Sequence, residues 1–227
     1  MGADAFTLLP LVIRFVEVVT RQRKNINKEQ QATIWKLKNT RRYVMGKGHG
    51  KGSSFERELC KQLSLWWSYG STNDIFWRTA GSGAMAKNRS KKGGQAFGQY
   101  GDVQATNPTG QKLIDICSIE IKRGYNKDCF AHILDKKYHT AQQAYEKFIQ
   151  QATEDASNAN ARTWLLIAKR DRRQALVFMP NKFRKALSEQ GSTISTSFPV
   201  FYFSMKNEKD KIQKVFGTTL DKFLTTV

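Results

Sequence analysis

The chain has 227 residues, with 38 Lys and Arg against 19 Asp and Glu, for a formal net charge of +19. That excess points to a polyanionic partner, either nucleic acid or an anionic membrane surface. The 11% aromatic content excludes a disordered basic tail, which lacks residues that bury surface, and the length fits one domain or one domain with an extension.

Ala5 to Val19 is an apolar run broken by Pro10, Arg14 and Glu17, too short and too charged to span a bilayer. Its basic residues, Arg21, Arg23 and Lys24, follow the run, the reverse of a secretory signal. Phe6 stands where N-myristoylation prefers Ser or Thr. Residues 21–42 are basic and polar, with weak helical character at Glu29 to Leu37, and read as an amphipathic helix with a basic connector. Met45 opens the flexible basic leader Met45-Gly46-Lys47-Gly48-His49-Gly50-Lys51-Gly52. Residues 1–44 are therefore expected to be an N-terminal extension, or even an upstream reading-frame extension, of a domain covering 45–227.

Ser53 to Trp67 is predicted helical. Ser53 and Glu56 fit a capping box, and Phe55, Leu59, Leu63, Trp66 and Trp67 recur at helical spacing as a buried stripe. Ile75-Phe76-Trp77 is a short strand leading into Arg78-Thr79-Ala80-Gly81-Ser82. Ala84 to Tyr100 shows no apolar period and carries Lys87, Arg89, Lys91 and Lys92 among glycines. It reads as a loop that either clamps phosphates or is merely a solvated basic segment.

Gly101-Asp102-Val103 opens an apolar run to Ala105, and Ile114 to Ile121 forms a second. Between them Asn107-Pro108-Thr109-Gly110 has turn chemistry, so two antiparallel strands are expected. Residues two apart on a strand share a face. Glu120 and Lys122 then lie together, opposite Cys117, Ile119 and Ile121, with Asp102 close by. Two carboxylates and an ammonium so placed suit a hard divalent cation with a lysine beside its water.

Farther on, Phe130 to Ala156 reads mostly as one long helix. Thr163 to Ala168 and Ala175 to Met179 read as strands joined by the basic hairpin Lys169-Arg170-Asp171-Arg172-Arg173. Lys182 to Ser188 is a short helix, Phe198 to Phe203 a strand and Thr218 to Thr225 a terminal helix. The order implies an α/β fold with a mixed sheet flanked by helices. Cys60, Cys117 and Cys129 share no CxxC spacing and read as reduced core thiols of a cytosolic protein; His49, His132 and His139 supply no recognisable zinc set.

Phosphodiester hydrolysis needs a nucleophile made from water, a neutralised anionic transition state and a stabilised leaving alkoxide. Mg²⁺ on two carboxylates serves all three, and the net charge of +19 attracts the substrate. Lys51 to Leu59, Arg78 to Ser82, Gly101-Asp102-Val103 and Ile119-Glu120-Ile121-Lys122 together resemble the PD-(D/E)xK nuclease superfamily. Within it they resemble the archaeal-type Holliday junction resolvases and their phage relatives, over about residues 51–179.

The resemblance implies a restriction-endonuclease-like core in which Asp102, Glu120 and the Ile121 carbonyl hold Mg²⁺, with Mn²⁺ able to substitute. It implies Lys122 as the catalytic lysine, Glu56 pointing into the site from the first helix, and Ser82 contacting metal water or phosphate. Arg57 and Arg78 match positions where relatives use basic residues near DNA. Gln151 and Lys169 sit where relatives place polar groups facing the site. Gly101 replaces the proline of the superfamily's name, and the 84–100 insert lengthens the usual spacing from Ser82 to Asp102.

Bland alternatives remain at this stage. Glu56 is explained by capping, Asp102 by a turn, Ser82 by a glycine-rich turn, and Glu120 with Lys122 by a solvated surface pair; Trp66 and Trp67 read as core. The expected function is a Mg²⁺-dependent endonuclease acting on branched DNA as a homodimer in the host cytoplasm or nucleoid, without a membrane. The alternatives are a restriction-like or general recombination nuclease of the same fold, or a basic DNA-binding protein without chemistry.

Overall fold

The computed structural model describes residues 50–79, 101–135, 142–190, 192–194, 199–206 and 211–227. The extension 1–44, Met45, Ser82 and the basic segment with Lys87, Arg89, Lys91 and Lys92 lie outside the described residues.

Helix α1 spans Gly50–Trp67. Phe55, Leu59, Leu63 and Trp67 recur along it and are buried, as their spacing requires. Trp67 also donates its indole N–H to the Thr109 carbonyl at 3.0 Å, so it is core rather than a base-stacking surface. Ser53 is not the N-cap that the sequence suggested. The helix has already begun at Gly50, and the Glu56 carboxylate is bound instead by Arg78.

Strands β1 (Phe76–Arg78) and β2 (Val103–Ala105) pair antiparallel as a two-stranded sheet. The hairpin expected between Asp102 and Glu120 is overturned. Pro108–Ile116 is a helix, α2, and the second strand, β3, runs only from Cys117 to Arg123. Asn107 is the N-cap: its Oδ1 accepts the N–H groups of Thr109 at 3.1 Å and Gly110 at 3.2 Å, and Pro108 takes the first helical position. The same four residues that suit a turn also suit a helix start. Leu113 and Ile116, spaced for one helical face, are buried and decide the outcome.

The main sheet has the order β3-β4-β5-β7-β6, completed by β4 (Thr163–Lys169), β5 (Leu176–Pro180), β6 (Val200–Lys206) and β7 (Ile212–Thr219). β3 and β4 are parallel, and the remaining pairings are antiparallel. A parallel pair needs a crossover, supplied here by a 3₁₀ turn at Phe130–Ile133 and helix α3, Ala144–Asn158. The single long helix expected over 130–156 is thus corrected. Glu146 Oε2 accepts the Gln143 N–H at 2.7 Å and starts a new helix at Ala144.

Helices α4 (Asn181–Glu189) and α5 (Leu220–Thr226) complete the described elements. One core lies between the sheet and α1, α2, α4 and α5, and a second between the sheet and α3. This is the α/β architecture of a restriction-endonuclease-like core. Cys60 and Cys117 are free and buried, and Cys129 is free and half-buried. No helix among the described residues is long and apolar enough to cross a membrane.

Strand β7 was not expected from the sequence. Ile212 is exposed and Lys211 and Lys214 interrupt the apolar pattern, so the segment reads as polar. It becomes an inner strand because β5 and β6 pair with it on either side.

Candidate active site

Asp102 reaches β3 without a hairpin. Its N–H donates to the Ile119 carbonyl at 2.8 Å, and its Oδ2 accepts the Ile121 N–H at 2.7 Å. The approach depends on Gly101, whose φ of 77° lies in the left-handed region. A Cβ there would meet Ser118 Oγ at 2.9 Å and the Ile119 carbonyl oxygen at 3.0 Å. A proline, whose ring holds φ near −65°, cannot take this conformation, so glycine in place of the expected proline has a local cause. Gly101→Ala is expected to cost about 2 kcal/mol or more, through left-handed strain and crowding. Urea denaturation should show a lower midpoint at an unchanged slope.

Along β3 the two faces divide. Ile119 and Ile121 enter the core beneath α1, while Glu120 and Lys122 face α3. Glu120 is only 3% exposed, so the pair is not the solvated surface ladder that the sequence left open. The Lys122 ammonium binds Glu120 Oε1, donates to Gln151 Oε1 at 2.9 Å and lies 5.5 Å from the centre of the Phe148 ring. Gln151 Nε2 donates to Glu120 Oε1 at 2.8 Å. The amide of α3 thereby fixes both charged groups of the strand.

Burial pushes the Glu120 carboxyl up to about 7. The Asp102 carboxylate adds to the rise, and the Lys122 ammonium opposes it. The same carboxylates are felt behind α1: burial, then Glu56 and Asp102, push the Cys60 thiol up to about 12.

Glu56, Asp102, Glu120, Ile121 and Lys122 line one cleft of about 270 Å³, together with Gly52, Arg123, Tyr125 and Gln151. Six of the residues singled out in the sequence for the site, Gln151 among them, converge here. Glu56 is held at the rim by Arg78 Nε at 3.0 Å. Arg57, on the same helix, is exposed. Lys169 lies 5.4 Å from the centre of the Phe55 ring, beside but not lining the cleft. Arg123 and Tyr125 were missed, although both follow directly from β3 and a strand end that already carries a site commonly supplies more of it. Arg123 is braced by Asp171 at 2.7 Å.

Two carboxylates, Asp102 and Glu120, line the cleft, and carboxylate oxygens are hard donors. Among the described residues no three His, Cys, Asp or Glu side chains form a group able to hold a metal. Mg²⁺ needs no such group, since it is commonly held by one or two carboxylates and keeps several waters. The oxygen donors present therefore fit a Mg²⁺-type ion. The pair of carboxylates held close, with Glu120 raised, is also the charge pattern that a cation relieves.

No curated protein and no solved structure matches the chain. A family model described as phage putative PDDEXK endonuclease matches residues 47–227, which contain every described element of the fold and the whole of the cleft. With the Asp102 and Glu120-Ile121-Lys122 arrangement on a mixed sheet, the chain belongs to this phage endonuclease family of the PD-(D/E)xK superfamily.

Proposed function

We propose that the protein is a Mg²⁺-dependent DNA endonuclease selective for branched DNA, of Holliday junction resolvase type, working as a homodimer in the host cytoplasm or nucleoid. The observation that carries the reading is the convergence of Asp102, Glu120, Ile121 and Lys122 with Gln151 in one cleft of a chain with net charge +19. Asp102, Glu120 and the Ile121 carbonyl hold the cation. When bound, it acidifies water and offsets negative charge at the scissile phosphate and leaving oxygen.

Lys122 orients the attacking water and steadies charge at the phosphate, while Gln151 keeps the lysine and Glu120 in register. Glu56, anchored by Arg78, faces the same space from α1. Ser82 and the basic residues Lys87, Arg89, Lys91 and Lys92 would contact phosphate, with Arg57 and Arg78 flanking. Residues 45–227 form the nuclease domain and 1–44 an extension; a family match that opens at residue 47 supports this division.

Symmetric cutting of a four-way junction needs two active sites, hence the dimer. The deciding experiment compares a synthetic four-way junction with linear, nicked and flapped duplexes, with Mg²⁺, with Mn²⁺ and with chelator. Metal-dependent paired nicks in the junction support the reading. Equal cutting of all substrates favours a general nuclease, and salt-sensitive binding without products favours a non-catalytic DNA-binding protein. Gln151→Ala is expected to lower cleavage by about 10- to 100-fold, the usual effect of losing a group that orients a metal ligand. Single-turnover rates measure it.

A further inference from the structure

A second cavity, of about 440 Å³, opens beside the active cleft. It is lined by Phe130, Tyr145, Ala168 and Leu176 below and by Arg170, Arg172, Arg173 and Gln174 from the β4–β5 hairpin. Its volume falls within the roughly 300–1,000 Å³ of small-molecule sites.

Three features define what it can hold. Among the described residues no carboxylate pairs with the guanidinium groups of Arg170, Arg172 or Arg173, so the rim selects an anion. The floor is aromatic and aliphatic, so the body of the ligand is flat and apolar. Tyr145 lines the cavity, and its Oη has no hydrogen-bond partner among the described residues yet is not one of the fully enclosed polar atoms, so it is open to the cavity. A hydroxyl so placed can donate to or accept from a polar edge of the ligand. A nucleotide has all three properties, whereas an inorganic anion would leave the aromatic floor uncovered.

Position relates the cavity to the reaction. Lys122 and Ala168 are register partners on adjacent parallel strands and face the same side of the sheet. Helix α3 runs over both. It places Gln151 in the active cleft, Phe148 under the Lys122 ammonium and Tyr145 in the second cavity, three residues apart each time. Six residues of helix rise about 9 Å, and stacked nucleotides step about 3.4 Å. The hairpin is also tied to the active cleft: Arg123 pairs with Asp171 and donates to the Arg170 carbonyl at 3.3 Å.

We propose that this cavity takes one unpaired nucleotide of the DNA substrate, its base against Phe130 and Tyr145 and its phosphate on Arg170, Arg172 and Arg173. The nucleotide lies about two to three steps from the phosphate that is cut. A base stacked in a duplex cannot enter such a pocket, so the site makes the protein prefer DNA with unpaired nucleotides at a branch, flap or end. This deepens the endonuclease reading above and rests on it.

The test uses the full chain and two labelled DNAs of the same sequence, a blunt duplex and one with a single-stranded tail. Binding is measured by fluorescence anisotropy with chelator. Wild type is expected to favour the tailed DNA by about tenfold, within the range one stacked base contributes. The Arg172→Ala/Arg173→Ala double variant should lose most of that preference. Tyr145→Phe, which removes one oxygen and no apolar surface, should reduce it. A fluorescent base analogue moved along the tail should change emission at one position only, and Tyr145→Phe should alter that signal.

An equal loss of affinity for both DNAs, or an unchanged preference in both variants, overturns the proposal. Cleavage with Mg²⁺ separates the two readings. Loss of preference in the variants with no cleavage by wild type sinks the endonuclease reading and keeps the nucleotide site. Cleavage by wild type with an unchanged preference does the reverse.

Discussion

Asp102→Asn is expected to lower DNA cleavage by about a thousandfold or more while DNA binding persists, since even one lost transition-state contact removes about 100- to 1,000-fold. Asparagine keeps an oxygen that can accept the Ile121 N–H, a bond of 2.7 Å in the native protein, so the local backbone has no reason to move. What disappears is the charge. The Asp102 carboxylate is one of the causes of the raised Glu120 carboxyl, and its removal relieves repulsion in the protein without metal. Thermal unfolding with chelator should therefore show Asp102→Asn at least as stable as wild type, which separates loss of chemistry from loss of fold. Cleavage assays with Mg²⁺ and mobility shifts with chelator complete the test. Wild-type rates in the variant would remove Asp102 from the active site.

Lys122→Met should lose about 100- to 10,000-fold in cleavage, the range for a positioned proton-transfer group. It should also change how the site responds to pH. The Lys122 ammonium holds the Glu120 carboxyl down against burial and the Asp102 charge, and the balance stands at about 7. Without the ammonium the carboxyl rises further. A cation needs the carboxylate, so wild-type cation binding weakens as pH falls through about 7, and in Lys122→Met the midpoint moves upward.

The stability consequence has a definite sign. The folded-state value lies above the unfolded value of about 4.3, so the folded state binds more protons between the two. The metal-free protein therefore loses stability as pH rises from about 4.3 to about 7 and changes little above. A divalent cation reverses that loss. Unfolding with and without Ca²⁺ should show a larger cation effect at about pH 8 than at about pH 5.5. The same cation effect at both values would mean that Glu120 is not a ligand.

Two segments of the chain fold differently from their local pattern for the same reason. Asn107-Pro108-Thr109-Gly110 satisfies the rules for a turn and for a helix start equally well. Only the packing of Leu113 and Ile116 against the α1 side of the core selects the helix. The stretch from Phe130 to Ala156 has enough apolar residues for one helix, but Leu134 is 73% exposed and a fresh start is set by Gln143 and Glu146. In both places local spacing left two answers open and contacts far along the chain chose between them. Strand β7 is the opposite case: its local pattern is poor, and its place comes from pairing with β5 and β6.

The sequence alone determined that Glu120 and Lys122 share one face, because period-two alternation in β3 places them side by side whatever lies around them. It also determined the buried stripe of α1 and the basic excess that favours a nucleic acid. Tertiary structure decided the rest. Asp102 meets β3 through two hydrogen bonds made possible by Gly101, not through the hairpin that the intervening residues suggested. Gln151 bridges Glu120 and Lys122 from α3, about 30 residues away in sequence, and Tyr145 reaches a different cavity from the same helix. Which elements face one another across a sheet depends on strand order and crossover, and neither is set by local residue spacing.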